Sequence, residues 1–295
     1  MKLVTFNTGS AAAGEKRYRV GALIEGGRIA DLTPSILPLG LTANEILRCF
    51  DLERDFVSPA TDAIDSGELP TFDRGEVSIG PPVPRPGKII CIGLNYRDHA
   101  EESGMPIPAS PIIFSKFPTC VIGSGDAIKI PDGSTQVDYE AELAFVVGRR
   151  ATNVNVEGAM RHVFGYMNFN DVSARDFQFA DGQWQRGKSC DTFAPMGEFV
   201  ATADEIADPH DLKIRFRLNG ETLQDSNTGQ LIFNIPALIS FLSKSITLEP
   251  GDIVATGTPP GVGFARKPPV FMKPGDIAEV EIDGLGILTN PVERS

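Results

Sequence analysis

Glu140 and Glu142 stand two positions apart in the run VDYEAELAFVV. Strand side chains alternate between faces, so Asp138, Glu140, Glu142 and Ala144 look one way and Tyr139, Ala141, Leu143 and Phe145 the other. The second set makes a core face, which leaves the glutamates lining the opposite wall. A third carboxylate, Asp171, closes another apolar run, GYMNFND. Neighbouring anions repel, and a carboxylate withdrawn from water is costly unless a cation holds it. A divalent cation is the simplest compensation. An oxygen-only donor set without nearby Cys or His points to Mg²⁺, with Mn²⁺ or Ca²⁺ behind it. E-x-E spacing alone also describes an ordinary solvated strand face, so the rest of the chain must decide.

Three further segments carry reactive side chains. In GLNYRDHAEE, His99 and Glu102 are three apart, and one helical turn puts them on one face. A carboxylate beside an imidazole fixes its tautomer and raises its basicity, which makes a general base for water. The other two histidines, His162 and His210, read as structural. After Asp171, the stretch VSARDFQ starts a helix with Arg175 and Gln178 one turn on. That guanidinium either binds a substrate carboxylate bidentately or forms a surface pair with Asp171. Finally, Gly182 to Ser189 reads GQWQRGKS and matches the phosphate-cradling pattern G-x-x-x-x-G-K-[ST]. The polar RDFQFAD precedes it, and Pro195 and Gly197 deny a long helix after it. Nucleotide binding is therefore disfavoured, while Lys188 stays a candidate cation.

The elements that must position these groups are mostly strands. IICIGL, PIIFSKF, DAIKI, AELAFVV, FGYMNFN, KIRFRLNG, DIVATG and AEVEIDGLGILTNPV read as strands, and residues 156–163, 173–179 and 234–243 as helices. With 30 glycines and 23 prolines marking frequent turns, the chain suits a mixed α/β, β-rich architecture with long loops. Residues 1–79 read as a small N-terminal domain, with a hairpin turning at Gly26-Gly27 and a helix near TANEILRCF capped by Thr42 or Asn44. Pro81, Pro82, Pro84 and Pro86 stiffen residues 80–88 into a linker, and 89–295 form the larger unit. A net charge of −12 argues against nucleic acid and anionic membrane as partners. No apolar run approaches the roughly 18 residues that span a bilayer. The start lacks a secretory signal, and Cys49, Cys91, Cys120 and Cys190 are scattered as reduced thiols would be. These features set the expectation of a cytoplasmic enzyme.

Taken in order, GLNYRDHAEE, DYEAELAFVVG, GYMNFNDVSARDFQ, RGKSCDTFAPMG and GDIVATGTPPGVG make the chain resemble the fumarylacetoacetate hydrolase superfamily. The resemblance runs through most of residues 88–291. It implies a rolled β-sheet C-terminal domain behind a smaller N-terminal one, and a homodimer. It further implies Mg²⁺ or Mn²⁺ on Glu140, Glu142 and Asp171, a water-activating dyad of His99 and Glu102 on a lid, and Lys188 facing a developing oxyanion. Arg175 and Gln178 would contact substrate near the metal, and Thr258 would bind its carboxylate end.

The reading that follows is a metal-dependent hydrolase cleaving a C–C bond in a 2,4-dioxo acid, an acylpyruvate-type small-molecule oxo acid, to pyruvate and a carboxylic acid. Decarboxylation of oxaloacetate on the same metal site is the alternative, ahead of a ureidoglycolate lyase-like activity. Loop residues around 103–110 and 177–186 would shape the pocket for the far end of the substrate.

Overall fold

Two long apolar runs, Ala141–Val147 and Val163–Asn170, pair antiparallel at the centre of the computed structural model, which describes residues 1–9, 18–33, 46–102, 104–180 and 182–295. Every residue of both strands is buried. That departs from the expected division into one core face and one site wall. Both faces are covered, and the chain reads there as an almost continuous apolar stretch, as doubly covered strands do. The polar site begins where the pair ends, at Glu140 and Asp171.

This pair sits inside a large sheet. Its strand order is Thr71–Phe72, Ile29–Asp31, Arg19–Leu23, Lys2–Asn7, Val200–Thr202, Val163–Asn170, Ala141–Val147, Ile253–Ala255, Ile89–Gly93 and Ile112–Lys116. The short strand Val200–Thr202 pairs with Lys2–Asn7 on one side and Val163–Asn170 on the other. Strands from the first 80 residues thus extend the central sheet across the proposed 1–79 boundary. Within them, Gly26 and Gly27 take φ of 77° and 75° and turn Arg19–Leu23 back onto Ile29–Asp31, as the sequence predicts. Thr42 and Asn44, the expected caps, lie outside the described residues.

A five-stranded sheet covers the central pair, ordered Glu221–Asn227, Lys213–Leu218, Ile277–Ile282, Gly286–Arg294 and Ile128–Ile130. Lys213–Leu218 and Ile277–Ile282 bury alternate residues, the pattern of strands with one wet face. The Tyr139 ring stacks on Phe216 with centroids 4.0 Å apart and seals the join between the sheets. Helices are few. The expected 234–243 helix runs Ile235–Ser243, with the Asn234 side chain accepting from Ala237 N at 3.1 Å. The expected 156–163 helix is one 3₁₀ turn, Ala159–His162. The expected 173–179 helix starts after the short strand Ser173–Ala174 and runs Arg175–Ala180.

The closest approach of strands falls at Gly165, where a Cβ would lie 2.0 Å from the Ala201 carbonyl oxygen. Neither backbone can yield without breaking the ladder. Gly165→Ala should therefore cost about 1–3 kcal/mol, the usual penalty of overpacking, or more. Thermal unfolding beside the wild type checks this, and an unchanged midpoint would show that the strands have slack.

Candidate metal and active site

The register Ala141↔Asn170 places the ends of the two central strands side by side, and Asp171 N donates to Glu140 O at 2.9 Å. One carboxylate oxygen from each of Glu140, Glu142 and Asp171 then falls within 4.8 Å of the others, all three residues being buried. Sequence reasoning places these three together, and the structure does so.

Cations converge on them from three elements. Lys188 Nζ, at the end of helix Gln185–Lys188, donates to Glu140 Oε2 and Asp171 Oδ2, both at 2.8 Å. Lys116 Nζ, ending strand Ile112–Lys116, donates to Asp171 Oδ1 at 2.5 Å and to Val172 O at 2.9 Å. Arg175 reaches Glu140 Oε1 at 2.6 Å, Asp138 Oδ2 at 2.8 Å and Gln178 Oε1 at 3.0 Å. The Arg175–Asp171 surface pair weighed from sequence does not form. Arg175 is buried and turned toward Asp138 and Glu140.

The charges do not cancel. Asp138, Glu140, Glu142 and Asp171 face Lys116, Arg175 and Lys188, which leaves one carboxylate in excess. Burial pushes the Glu140 carboxyl up, but Lys188 and Arg175 outweigh it and hold it at about 2. Glu142 goes the other way. Its burial, with Asp171 and Glu140 beside it, raises it well above the carboxylate range, and one N–H bond, from Gly257 at 2.9 Å, opposes this. A buried glutamate crowded by two anions, in a cluster of hard oxygen donors, fits a divalent cation. Glu140, Glu142 and Asp171 would hold it.

The dyad also forms. Helix Arg97–Glu102 sets His99 Nδ1 3.3 Å from Glu102 Oε2. Gly261 N–H donates to both Glu102 oxygens at 3.1 Å, and Ser226 Oγ donates to Asp98 Oδ2 at 2.5 Å. The helix is docked against the body, with Asn95 Nδ2 held by Thr256 O at 2.7 Å just before it. Thr258 lies on the same wall, but its hydroxyl donates to Ala141 O at 3.0 Å and accepts from Gln224 Nε2 at 2.9 Å. His99, Glu102, Glu140, Glu142, Arg175, Lys188 and Thr258 line one cavity of about 520 Å³, together with an aromatic wall that includes Phe114 and Trp184.

The phosphate-loop resemblance dissolves here. Lys188 ends its short helix, where the nucleotide motif needs a helix to begin, and its ammonium is spent on carboxylates. Gly187 serves packing, since a Cβ there would sit 2.6 Å from Gln178 N. His162 and His210 make structural contacts, with Arg149 O and Ile235 N. Sequence reasoning missed Lys116, whose signal was a lone lysine on the same strand face as Ile112 and Phe114. It also missed Asp138 as the anchor of Arg175.

A β-rich fold that closes over a buried triad of carboxylates, three cations and an imidazole–carboxylate pair has the make-up of an enzyme site for small molecules. The family described as fumarylacetoacetate (FAA) hydrolase, C-terminal, matches residues 88–293, and the chain belongs to it. A mitochondrial oxaloacetate tautomerase of Xenopus laevis is 46% identical over 295 residues, 99% of this chain and 90% of that one. A bovine protein of the same description is 44% identical over 99% of this chain and 91% of its own length. Among solved structures, fumarylacetoacetate hydrolase from Exiguobacterium antarcticum superposes with a TM-score of 0.86 at 34% identity, each chain covered in full. Maleylpyruvate hydrolase from Sphingobium sp. SYK-6, in complex with manganese(II) and pyruvate, gives 0.82 at 31%, again over both full chains. The expected cytoplasmic location is overturned, because the Xenopus and bovine relatives are named mitochondrial.

Glu142→Gln keeps the shape of the side chain and removes the excess charge. Mg²⁺ should raise the melting temperature of the wild type but not of the variant. The metal-free variant should be at least as stable as the wild type at neutral pH. A carboxyl held above its unfolded value loses stability as pH rises from the ordinary carboxylate range to the raised one, and the amide flattens that slope. Calorimetric scans across pH, with and without Mg²⁺, read both effects. An undiminished Mg²⁺ shift in the variant would remove Glu142 from the ligand set.

Proposed function

We propose that this protein is a divalent-metal-dependent tautomerase acting on oxaloacetate, interconverting its enol and keto forms. The observation that carries the reading is that the docked His99–Glu102 pair shares one cavity with Glu140, Glu142, Lys188 and Arg175. The names of the Xenopus and bovine relatives support the substrate, and a mitochondrial setting with it. This moves the emphasis from hydrolysis of a 2,4-dioxo acid to oxaloacetate, the substrate of the alternative, with tautomerisation in place of the decarboxylation expected there.

The reaction needs one proton moved between C3 and the oxygen on C2. Glu140, Glu142 and Asp171 would hold a divalent cation, which when bound would supply electrostatic stabilisation for negative charge on the enolate. His99 exchanges the proton at C3, and Glu102 holds the imidazole in one tautomer through Nδ1. Gly261 N–H in turn fixes Glu102. Lys188 adds a fixed positive charge beside Glu140 and Asp171 that favours the oxyanion. Glu140, Lys188 and Arg175 are buried, which strengthens the interactions among them.

A second reading keeps hydrolysis. The same dyad suits water activation, and the maleylpyruvate hydrolase neighbour is named for such a reaction. Three assays with Mg²⁺ separate the readings: decay of enol-oxaloacetate absorbance, carbon dioxide release from oxaloacetate, and pyruvate release from short acylpyruvates. The first should dominate. Fast acylpyruvate cleavage with no acceleration of enol decay would sink the tautomerase reading.

His99→Ala should lower the enzymatic enol decay about 10²–10⁴-fold, the usual contribution of a positioned acid–base group. Glu102→Ala should fall similarly, and the double variant little further, because the pair acts as a unit. Oxalate should still bind His99→Ala in a calorimetric titration, which separates lost chemistry from a lost site. Full activity in either single variant would move the proton transfer elsewhere.

Assembly as a homodimer belongs to the same proposal. The edge strand Ile112–Lys116 exposes Ile112 and Ile113, with Phe117 just beyond at 54% exposure, and an apolar edge needs a cover. Light scattering should give twice the chain mass at micromolar concentration, and a stable monomer would refute it.

A further inference from the structure

The site is charged on its floor and apolar at its mouth. Glu140, Glu142, Lys188 and Arg175 lie at the bottom, where all are buried. Around the opening stand Met105, Phe179 and Phe264, exposed at 52%, 58% and 39%. Phe179 and Phe264 meet edge to face at 6.0 Å, and Phe264 also covers the Arg175 guanidinium at 4.5 Å. Phe114 and Trp184 continue the aromatic lining inward, with centroids 5.2 Å apart. Isolated apolar side chains at a surface need no explanation, but a ring of them around a cavity does.

Oxaloacetate does not account for that ring. Beyond its 2-oxo acid end it carries a second carboxylate, which calls for a cation or free N–H donors. Among the described residues, the permanent cations lining the cavity are Arg175 and Lys188, and both are already bound to carboxylates. The Thr258 hydroxyl hydrogen is committed to Ala141 O. A cavity of about 520 Å³ also falls in the range of about 300–1,000 Å³ that suits ligands well above four carbons.

We infer that the site also tautomerises 2-oxo acids whose C3 bears a flat apolar group, the arylpyruvate type, with the ring seated against Phe179, Phe264 and Trp184. This rests on the tautomerase reading and extends its substrate class. The step balances without a co-reactant: the C=C pair takes a proton to form the C3–H bond, and the O–H pair of the C2 enol becomes the C=O bond as its proton leaves. The 2-oxo acid end keeps the place assigned to it in oxaloacetate. An aryl group at C3 replaces the second carboxylate, so burial of apolar surface takes over from a charge that finds no unpaired cation among the described residues lining the cavity.

Enol-phenylpyruvate and enol-oxaloacetate, each followed by its ultraviolet decay with Mg²⁺, test the inference in wild type and Phe179→Ala. Phe179 is exposed and its ring packs on Phe264 at the mouth, so its truncation leaves the buried core alone. The wild type should convert both enols. Phe179→Ala should raise KM for phenylpyruvate roughly tenfold, about the worth of one aromatic wall, and change oxaloacetate less than twofold. Turnover of oxaloacetate without phenylpyruvate, or equal effects of the variant on both, would overturn the inference and leave the tautomerase reading standing. Failure with both enols would overturn the two together. Turnover of phenylpyruvate alone would support the inference and remove oxaloacetate as the substrate.

Discussion

An unbalanced buried charge governs this molecule. Three carboxylates sit at the open end of a strand pair whose every residue is buried, and an acid in such a place must be neutralised or compensated. Lys116, Arg175 and Lys188 come from a sheet edge, a helix start and a helix end to supply that compensation. The positions of those elements follow from where their ammonium and guanidinium groups have to be. The compensation stops one charge short, and the shortfall falls on Glu142. That shortfall is what makes the triad a candidate cation site.

Backbone register turns that constraint into geometry. Because Ala141 faces Asn170, residues far apart in sequence meet without needing long side chains. Asp138 then fastens the neighbourhood. Its carboxylate takes the N–H groups of Gly263 and Phe264 at 2.7 and 3.1 Å and the Nε of Arg175, so two distant chain segments share one acceptor. A positive charge held at both Asp138 and Glu140 cannot drift, and preorganised charge of this kind is what electrostatic catalysis requires.

Much of the site was legible in the sequence. E-x-E, the terminal aspartate of GYMNFND and the three-residue step from His99 to Glu102 each tie residue type to a short-range period, and such periods survive folding. Lys116 and Asp138 were not legible as partners, because their roles depend on pairings across 55 and 37 positions of chain. The burial of both faces of Ala141–Val147 was hidden for the same reason, since four of the five strands of the covering sheet come from residues after 212. The nucleotide-loop pattern shows the converse error: its glycine is there for helix packing against Gln178, and local pattern alone could not say so. Relatives, rather than residues, turned the expectation from hydrolysis toward oxaloacetate and removed the cytoplasmic assignment.

The strand Glu221–Asn227 is an outer strand of its sheet, yet it reaches the site twice. Gln224 accepts from Ala141 N at 2.9 Å and holds Thr258, while Ser226 grips Asp98 at the dyad helix. Outer strands open by local fluctuation at free energies well below that of global unfolding. Each such opening frees Ala141 N and Thr258 from Gln224 and Asp98 from Ser226, while Gly261 and Asn95 still hold the dyad helix and the central strands stay intact. A peripheral ribbon thus braces the candidate site from outside without being its sole support.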